Sequence, residues 1–180
     1  MKRLVYVIPL ALLAAGCADQ SRVRTDPTYE AAVNNLFIPT NYRAAEALLI
    51  QAQASLVQDV PLIVTTVVDI NDLEKSSALG RTISEMISAQ FTRSGYRTVE
   101  MKFRSTVYIR RTQGELSLTR EIKELAQSYN AQAVLVGTYS MSRDFVYVNL
   151  KVIRPGDNIV LAAHYYTLPN DTNISGLLTR

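Results

Sequence analysis

Residues 131–167 carry a hydrophobic pattern with the period of β-structure. Val134, Leu135 and Val136 are apolar on both parities before Gly137, as expected of a strand covered on both faces. Val146, Val148, Leu150 and Val152 then alternate with Tyr147, Asn149 and Lys151, so that one face of the next strand is certainly buried. A third β-rich run leads to Thr167. Turn residues separate the runs at Ser142-Arg143-Asp144 and at Pro155-Gly156-Asp157-Asn158. Pro presets φ, Gly tolerates unusual φ, and Asp and Asn hydrogen-bond to nearby backbone. The pattern predicts an antiparallel meander of two hairpins, with the Val134 run central.

Upstream, Leu62 to Ile70 is β-branched and apolar at nearly every position, which predicts a second interior strand pairing near the Val134 run. Leu79, Ile83, Met86, Ile87 and Phe91 recur at helical spacing up to Arg93, and Gly95 is placed to close that helix. Tyr96 to Phe103 alternates and reads as a half-exposed strand nearer the edge, completing a strand–helix–strand crossover. Thr106 to Ile109 is a short β-prone piece, and 110–115 turns the chain. Thr119 caps a helix in which Ile122, Leu125, Ala126 and Tyr129 share a face, ended by Asn130. Thr40 or Asn41 caps an earlier helix running to about Gln58, striped by Tyr42, Ala45, Leu49, Ala52 and Leu56. That stripe suits either a partner-binding helix or one lying on its own domain. Residues 170–180 are polar apart from Ile174, Leu177 and Leu178 and are expected to fray. The fold class is therefore α/β (α+β): a single mixed sheet of about five strands with an antiparallel C-terminal meander, packed against two or three helices. Helices 79–93 and 119–129 are expected on the same face.

The first residues follow a different logic. Met1-Lys2-Arg3 is positive, Leu4 to Ala15 is an apolar run interrupted only by Pro9, and Ala14-Ala15-Gly16 are small residues directly before Cys17. This is a signal peptide, and a run of about 12 apolar residues falls short of the roughly 20 that span a bilayer as a helix. The small residues ending at a cysteine resemble a bacterial lipobox, with Ala14 where Leu is more usual. The resemblance implies cleavage before Cys17 and acylation there, and Ala18, lacking the Asp of inner-membrane retention, favours the outer membrane. The alternative is a plain secretory signal cut near Ala15 that leaves a free thiol. The organisation is then a signal peptide over 1–16, a lipid-anchored tether over 17–39, an α/β domain over 40–168 and a tail over 169–180.

Composition limits the chemistry. The chain has 180 residues, 48% apolar and 19% charged, room for one domain with a real core. Its formal charge of +3 falls to +1 once Lys2 and Arg3 leave with the signal, which argues against nucleic acid as a partner. Cys17 is the only cysteine, so no disulfide framework exists. His164, the only histidine, shares parity with Val160, Ala162 and Tyr166 and reads as structural or exposed. Asp69, Asn71 and Asp72 follow a strand, but without calcium-loop spacing they read as a polar loop opening a helix, and no metal is expected. No phosphate loop, nucleophile elbow or zinc-helix motif occurs, so neither enzyme activity nor a cofactor is expected. Arg97, Lys102, Arg104, Arg110 and Arg111, opposed only by Glu100, form the one local basic excess. They fit an interaction surface for lipid head groups, glycan carboxylates or an acidic protein, or equally charges that keep an edge strand from pairing.

Three segments also carry a family resemblance: PLIVTTVVDINDL, LGRTISEMISAQFTRSGYRTVEMK and RRTQGELSLTREIKELAQSYNAQAVLVGTYS. They resemble the FlgO domain of flagellar outer-membrane lipoproteins, most strongly at Gln113, Gly114, Glu115, Leu118 and Arg120 and at Ala133 to Tyr139. The resemblance spans about Leu62 to Thr167. It implies a non-catalytic, periplasm-facing accessory at the outer-membrane end of a flagellar basal body, held to lipid through Cys17. Its partners would be other flagellar or envelope proteins, with a homo-oligomer possible. Similar α/β domains occur in curli-type secretion lipoproteins and in periplasmic TolB, so an envelope scaffold unrelated to flagella is the alternative.

Overall fold

The computed structural model describes residues 26–101 and 123–179. The chain divides after Asn34 into two compact units. In the first, helix α1 (Tyr29–Val33) is capped by Thr28, whose hydroxyl accepts from Ala31 N at 3.1 Å, and none of its residues is buried. The second holds α2 (Phe37–Ala52), β1 (Leu62–Thr65), β2 (Val68–Asp69), α3 (Ala78–Arg93) and β3 (Thr98–Met101). These are followed by α4, described over 123–129, and by β4 (Ala133–Met141), β5 (Phe145–Arg154), β6 (Ile159–Pro169) and α5 (Thr172–Leu178).

Among the described residues one mixed sheet runs in the order β3-β1-β4-β5-β6, with β2 also paired to β4. β1 lies parallel to both β3 and β4, placing Ile63 beside Val99 and Val134. β4, β5 and β6 form the antiparallel meander that the alternation predicts. Val146, Val148, Leu150 and Val152 are all buried on one face of β5. The turns follow the expected chemistry. Asp157 Oδ1 accepts from Ile159 N at 3.2 Å, and Asn158 takes the left-handed conformation at φ 61°. At the other turn, Ser142 and Phe145 bond reciprocally, with Ser142 Oγ donating to Phe145 O at 2.9 Å.

Successive residues of a strand point to opposite faces, so β1 separates two hydrophobic clusters. Leu62 and Val64 join Leu135, α2, α3 and α5 in the main core, whereas Ile63 and Val134 pack with Ala126 and Leu125 of α4. Helices α3 and α4 therefore cover opposite faces of the sheet, correcting the expectation that they share one. The physical reason is already in the strands: β1 and β4 are apolar on both parities, so both faces need a cover. Tyr129, expected on the buried face of α4, is 44% exposed. Asn130 ends α4 as expected, at φ 53°.

Other boundaries move for identifiable reasons. α2 starts at Phe37, not at Thr40 or Asn41, and takes in three residues assigned to the tether. Pro39 is tolerated because first-turn N–H groups have no intrahelical acceptor, and Asn35 Oδ1 caps Phe37 N at 2.8 Å. α2 ends at Ala52, short of Gln58, although Leu56 is still buried. α3 begins at its Ser77 cap and closes in a Schellman turn, with Tyr96 N donating to Phe91 O at 3.1 Å and Gly95 at φ 87°. The expected frayed tail is instead α5, capped by Asp171 Oδ1 and carrying Ile174 into the core. Asn170 secures it, donating from Nδ2 to Ser142 O and Arg143 O, both at 3.2 Å. The β-prone piece 106–109, the turn 110–115, Thr119 and Ile122 lie outside the described residues.

α2 resolves the two readings of its stripe: it lies on its own domain, against α3 and β6. Two side chains bind it to β6. Gln51 uses its amide as a short strand would, Nε2 donating to Ala163 O at 3.1 Å and Oε1 accepting from Ala163 N at 3.2 Å. Asn41, fully buried, donates from Nδ2 to Phe37 O at 2.7 Å and accepts from the Tyr166 hydroxyl at Oδ1. Burial pushes the Tyr166 phenol well above its ordinary range, so it remains a neutral donor. Asn41→Ala leaves Tyr166 Oη without its partner and is expected to cost about 1–3 kcal/mol. Tyr166→Phe removes the stranded hydroxyl, so urea unfolding of the double variant is expected to show less than the sum of the two single losses.

Candidate functional site

Two surfaces of the sheet domain have the shape and chemistry for contact with other molecules. The first is a cleft of about 270 Å³ between α3 and the parallel strands, lined by Val64, Thr66, Ala78, Arg81, Thr82, Ser84, Glu85 and Glu100. Its hydroxyls are largely committed to structure. Ser84 Oγ accepts from Val67 N at 2.8 Å and donates to Gly80 O at 2.9 Å, while Thr82 Oγ1 donates to Ala78 O at 2.8 Å. Val67 sits where the backbone breaks between β1 and β2, so Ser84 supplies the hydrogen bond that the ladder no longer makes. Arg81 Nη1 donates to Ser76 O at 3.3 Å. The lining offers no histidine, and its ionisable groups are Arg81, Glu85 and Glu100.

The second surface is the half of the sheet beyond α4. On that face three neighbouring strands present a three-by-three array. Ser140, Thr138 and Val136 of β4 stand opposite Tyr147, Asn149 and Lys151 of β5, which in turn face Thr167, Tyr165 and Ala163 of β6. Tyr147 and Tyr165 lie diagonally across the strand pair with ring centroids 6.4 Å apart, and Tyr165 is 61% exposed. At the far end of the same hairpin, Arg154 holds the turn by clasping Asp157 through Nε at 3.0 Å and Nη2 at 2.8 Å. The hydrogen bond from Arg154 holds the Asp157 carboxyl below its usual range and raises the guanidinium in return. Arg154 is thus occupied, whereas exposed Lys151 makes no ion pair with a described residue.

The residues singled out by sequence fall mostly elsewhere. Cys17, Lys102, Arg104, Arg110 and Arg111 lie outside the described residues. Arg97 is exposed beside β3, with Nη1 3.4 Å from Asp59 O. Asp69 and Asp72 form the expected polar loop: Asp69 Oδ1 accepts from Asn71 N at 2.8 Å, and Asp72 pairs with Lys75 at 3.1 Å. His164 stands on the parity of Tyr166, their rings stacked at 5.9 Å. The tyrosine pair was not anticipated. Alternation alone points Tyr147 outward, but bringing it beside Tyr165 depends on the β5/β6 register, which shifts at Val152/Ile153.

The arrangement defines a class first: an α/β domain with helices on both faces of a mixed sheet. The chain belongs to the FlgO family, whose model, described as FlgO protein, matches residues 42–173. No curated protein sequence matches it. Among solved structures, the LpoB C-terminal domain from Salmonella enterica is similar at TM-score 0.50 and 13% identity, covering 71% of this chain and 93% of that one. The LpoB C-terminal domain from Escherichia coli gives TM-score 0.47 at 8% identity, covering 71% and 97%. A PelC dodecamer from Paraburkholderia phytofirmans gives 0.46 at 15%, covering 69% and 84%. At 13% identity the likeness to the Salmonella domain is one of fold.

Proposed function

We propose that this protein is an outer-membrane lipoprotein, anchored through acylated Cys17 and facing the periplasm. It acts as a non-enzymatic accessory in assembly or stability of the flagellar basal body. The observation that carries the reading is the family match over residues 42–173. The signal peptide read over residues 1–16, directly before Cys17, supports it independently, because such a signal would deliver the domain to the compartment where such an accessory works. The chemistry of the domain is compatible: the cleft hydroxyls are tied into the fold, so binding is a better use of these surfaces than turnover.

Deletion of the gene in its host tests the role. The expected result is a loss of motility with shed or incomplete flagella by electron microscopy, restored by the wild-type chain, and a fluorescent fusion concentrated at flagellar bases. Normal swimming together with an even envelope distribution of the fusion would refute the flagellar role in favour of a general envelope scaffold.

A further inference from the structure

We propose that the open array on β4, β5 and β6 binds an anionic glycan strand, with Tyr147 and Tyr165 as the ring platform and Lys151 as the counter-charge. This goes beyond the assembly role and is independent of it, since it is tested on purified protein. Two tyrosines in van der Waals reach offer rigid faces on which the C–H face of a sugar ring packs, and each brings a phenol oxygen for hydrogen bonding at little entropy cost. Around them stand Asn149, Thr138, Ser140 and Thr167, an amide and three hydroxyls able both to donate and to accept. Interleaved aromatic and polar groups match a polyol, which alternates apolar ring faces with hydroxyl edges.

A protein partner fits less well. The centre of a protein interface is depleted in Lys and Ser, whereas here Lys151, Ser140 and further polar side chains stand among the aromatic ones. Charge selects among glycans. The nine positions hold no carboxylate, and Lys151, exposed and without an ion pair to a described residue, is their only charged group. Its strand neighbour Ala163 is small, so no bulky side chain stands beside the ammonium on this face. An unopposed cation favours a carboxylate-bearing sugar, such as a muramyl or uronic acid unit, over a neutral one.

The full mature protein in detergent would be titrated with three probes: uncrosslinked muramyl glycan strands, polygalacturonate and neutral chitin oligomers. Saturable binding of either acidic probe, tighter than chitin and weakened by salt, is expected, and the preferred acidic probe identifies the source of the carboxylate. Tyr165→Ala and Tyr147→Ala are each expected to weaken it about tenfold, with Tyr165→Phe close to wild type. Lys151→Gln should erase the preference over chitin. These side chains point away from the main core, so unchanged melting temperatures would show that the variants stay folded. Absence of binding to all three probes, or acidic-glycan binding indifferent to both tyrosines, overturns the proposal. So does release of a co-purifying protein by the same variants without any glycan binding, which would make the face a protein interface.

Discussion

Cys17→Ser is expected to transfer the protein from the membrane fraction to the soluble periplasm. No helix among the described residues is long and apolar enough to cross a membrane, and in the function proposed above the attachment is covalent lipid. Acyl chains on Cys17 would supply it, each buried methylene contributing about 0.8 kcal/mol. One myristoyl-sized chain holds only reversibly, with an association constant on the order of 10⁴ M⁻¹, whereas the additional chains of a processed lipoprotein make release negligible. Serine removes the thiol that accepts the first chain, and the later steps depend on it, so the change is close to all or none. Fractionation, mass spectrometry of the mature amino terminus and incorporation of labelled palmitate measure it. Wild-type protein carrying a free thiol, or a serine variant still fully membrane-bound, would contradict the anchor.

The legible part of the fold is the part in which one residue decides one face. Along β5 the period-two alternation admits a single orientation, because slipping by one residue would turn Val146, Val148, Leu150 and Val152 out to water. The placement of α4 was readable too, but in its partners: Ile63 and Val134 needed a cover that α3 cannot give, since it lies against Leu62 and Val64. α5 carried signals that were outweighed by its terminal position. Asp171 is a good cap, and Ile174, Leu177 and Leu178 fall at helical spacing on the core. What stayed hidden depends on pairing across long separations. Asn41 resembles a surface cap in sequence, and its burial is made tolerable by the bonds to Phe37 O and to the distant Tyr166. Likewise Tyr147 and Tyr165 become neighbours only through register, which is why the basic residues near 97–111, contiguous in sequence, drew attention first.

Gly80→Ala and Gly176→Ala make the same chemical change in two helices and are expected to have opposite effects. In isolation a helical Gly→Ala is favourable by about 1 kcal/mol, because alanine restricts the unfolded chain and suits the helix. At Gly176 of α5 an added methyl meets nothing within 4 Å, so that gain should appear almost intact. At Gly80 of α3 the methyl would lie 2.0 Å from Val67 O and 2.8 Å from Ser76 Oγ, well inside the 3.4 Å at which ordinary contact begins. Neither neighbour can yield cheaply. Val67 O accepts from Ser76 Oγ at 3.0 Å, and Val67 N donates to Ser84 Oγ at 2.8 Å, so the clash falls on the linkage that joins α3 to the break between β1 and β2. To relieve it α3 must retreat, loosening Leu79, Ile83, Ile87 and Phe91 from the core along its whole length. Overpacking usually costs about 1–3 kcal/mol, and a backbone carbonyl as the obstacle puts Gly80→Ala at or above the upper end even after the propensity gain. At about 2–4 °C per kcal/mol for a chain of this size, the melting temperature is expected to fall by roughly 6–12 °C, against a rise of a few degrees for Gly176→Ala. Equal shifts of the two variants in a thermal scan would mean that α3 does not approach Val67 this closely.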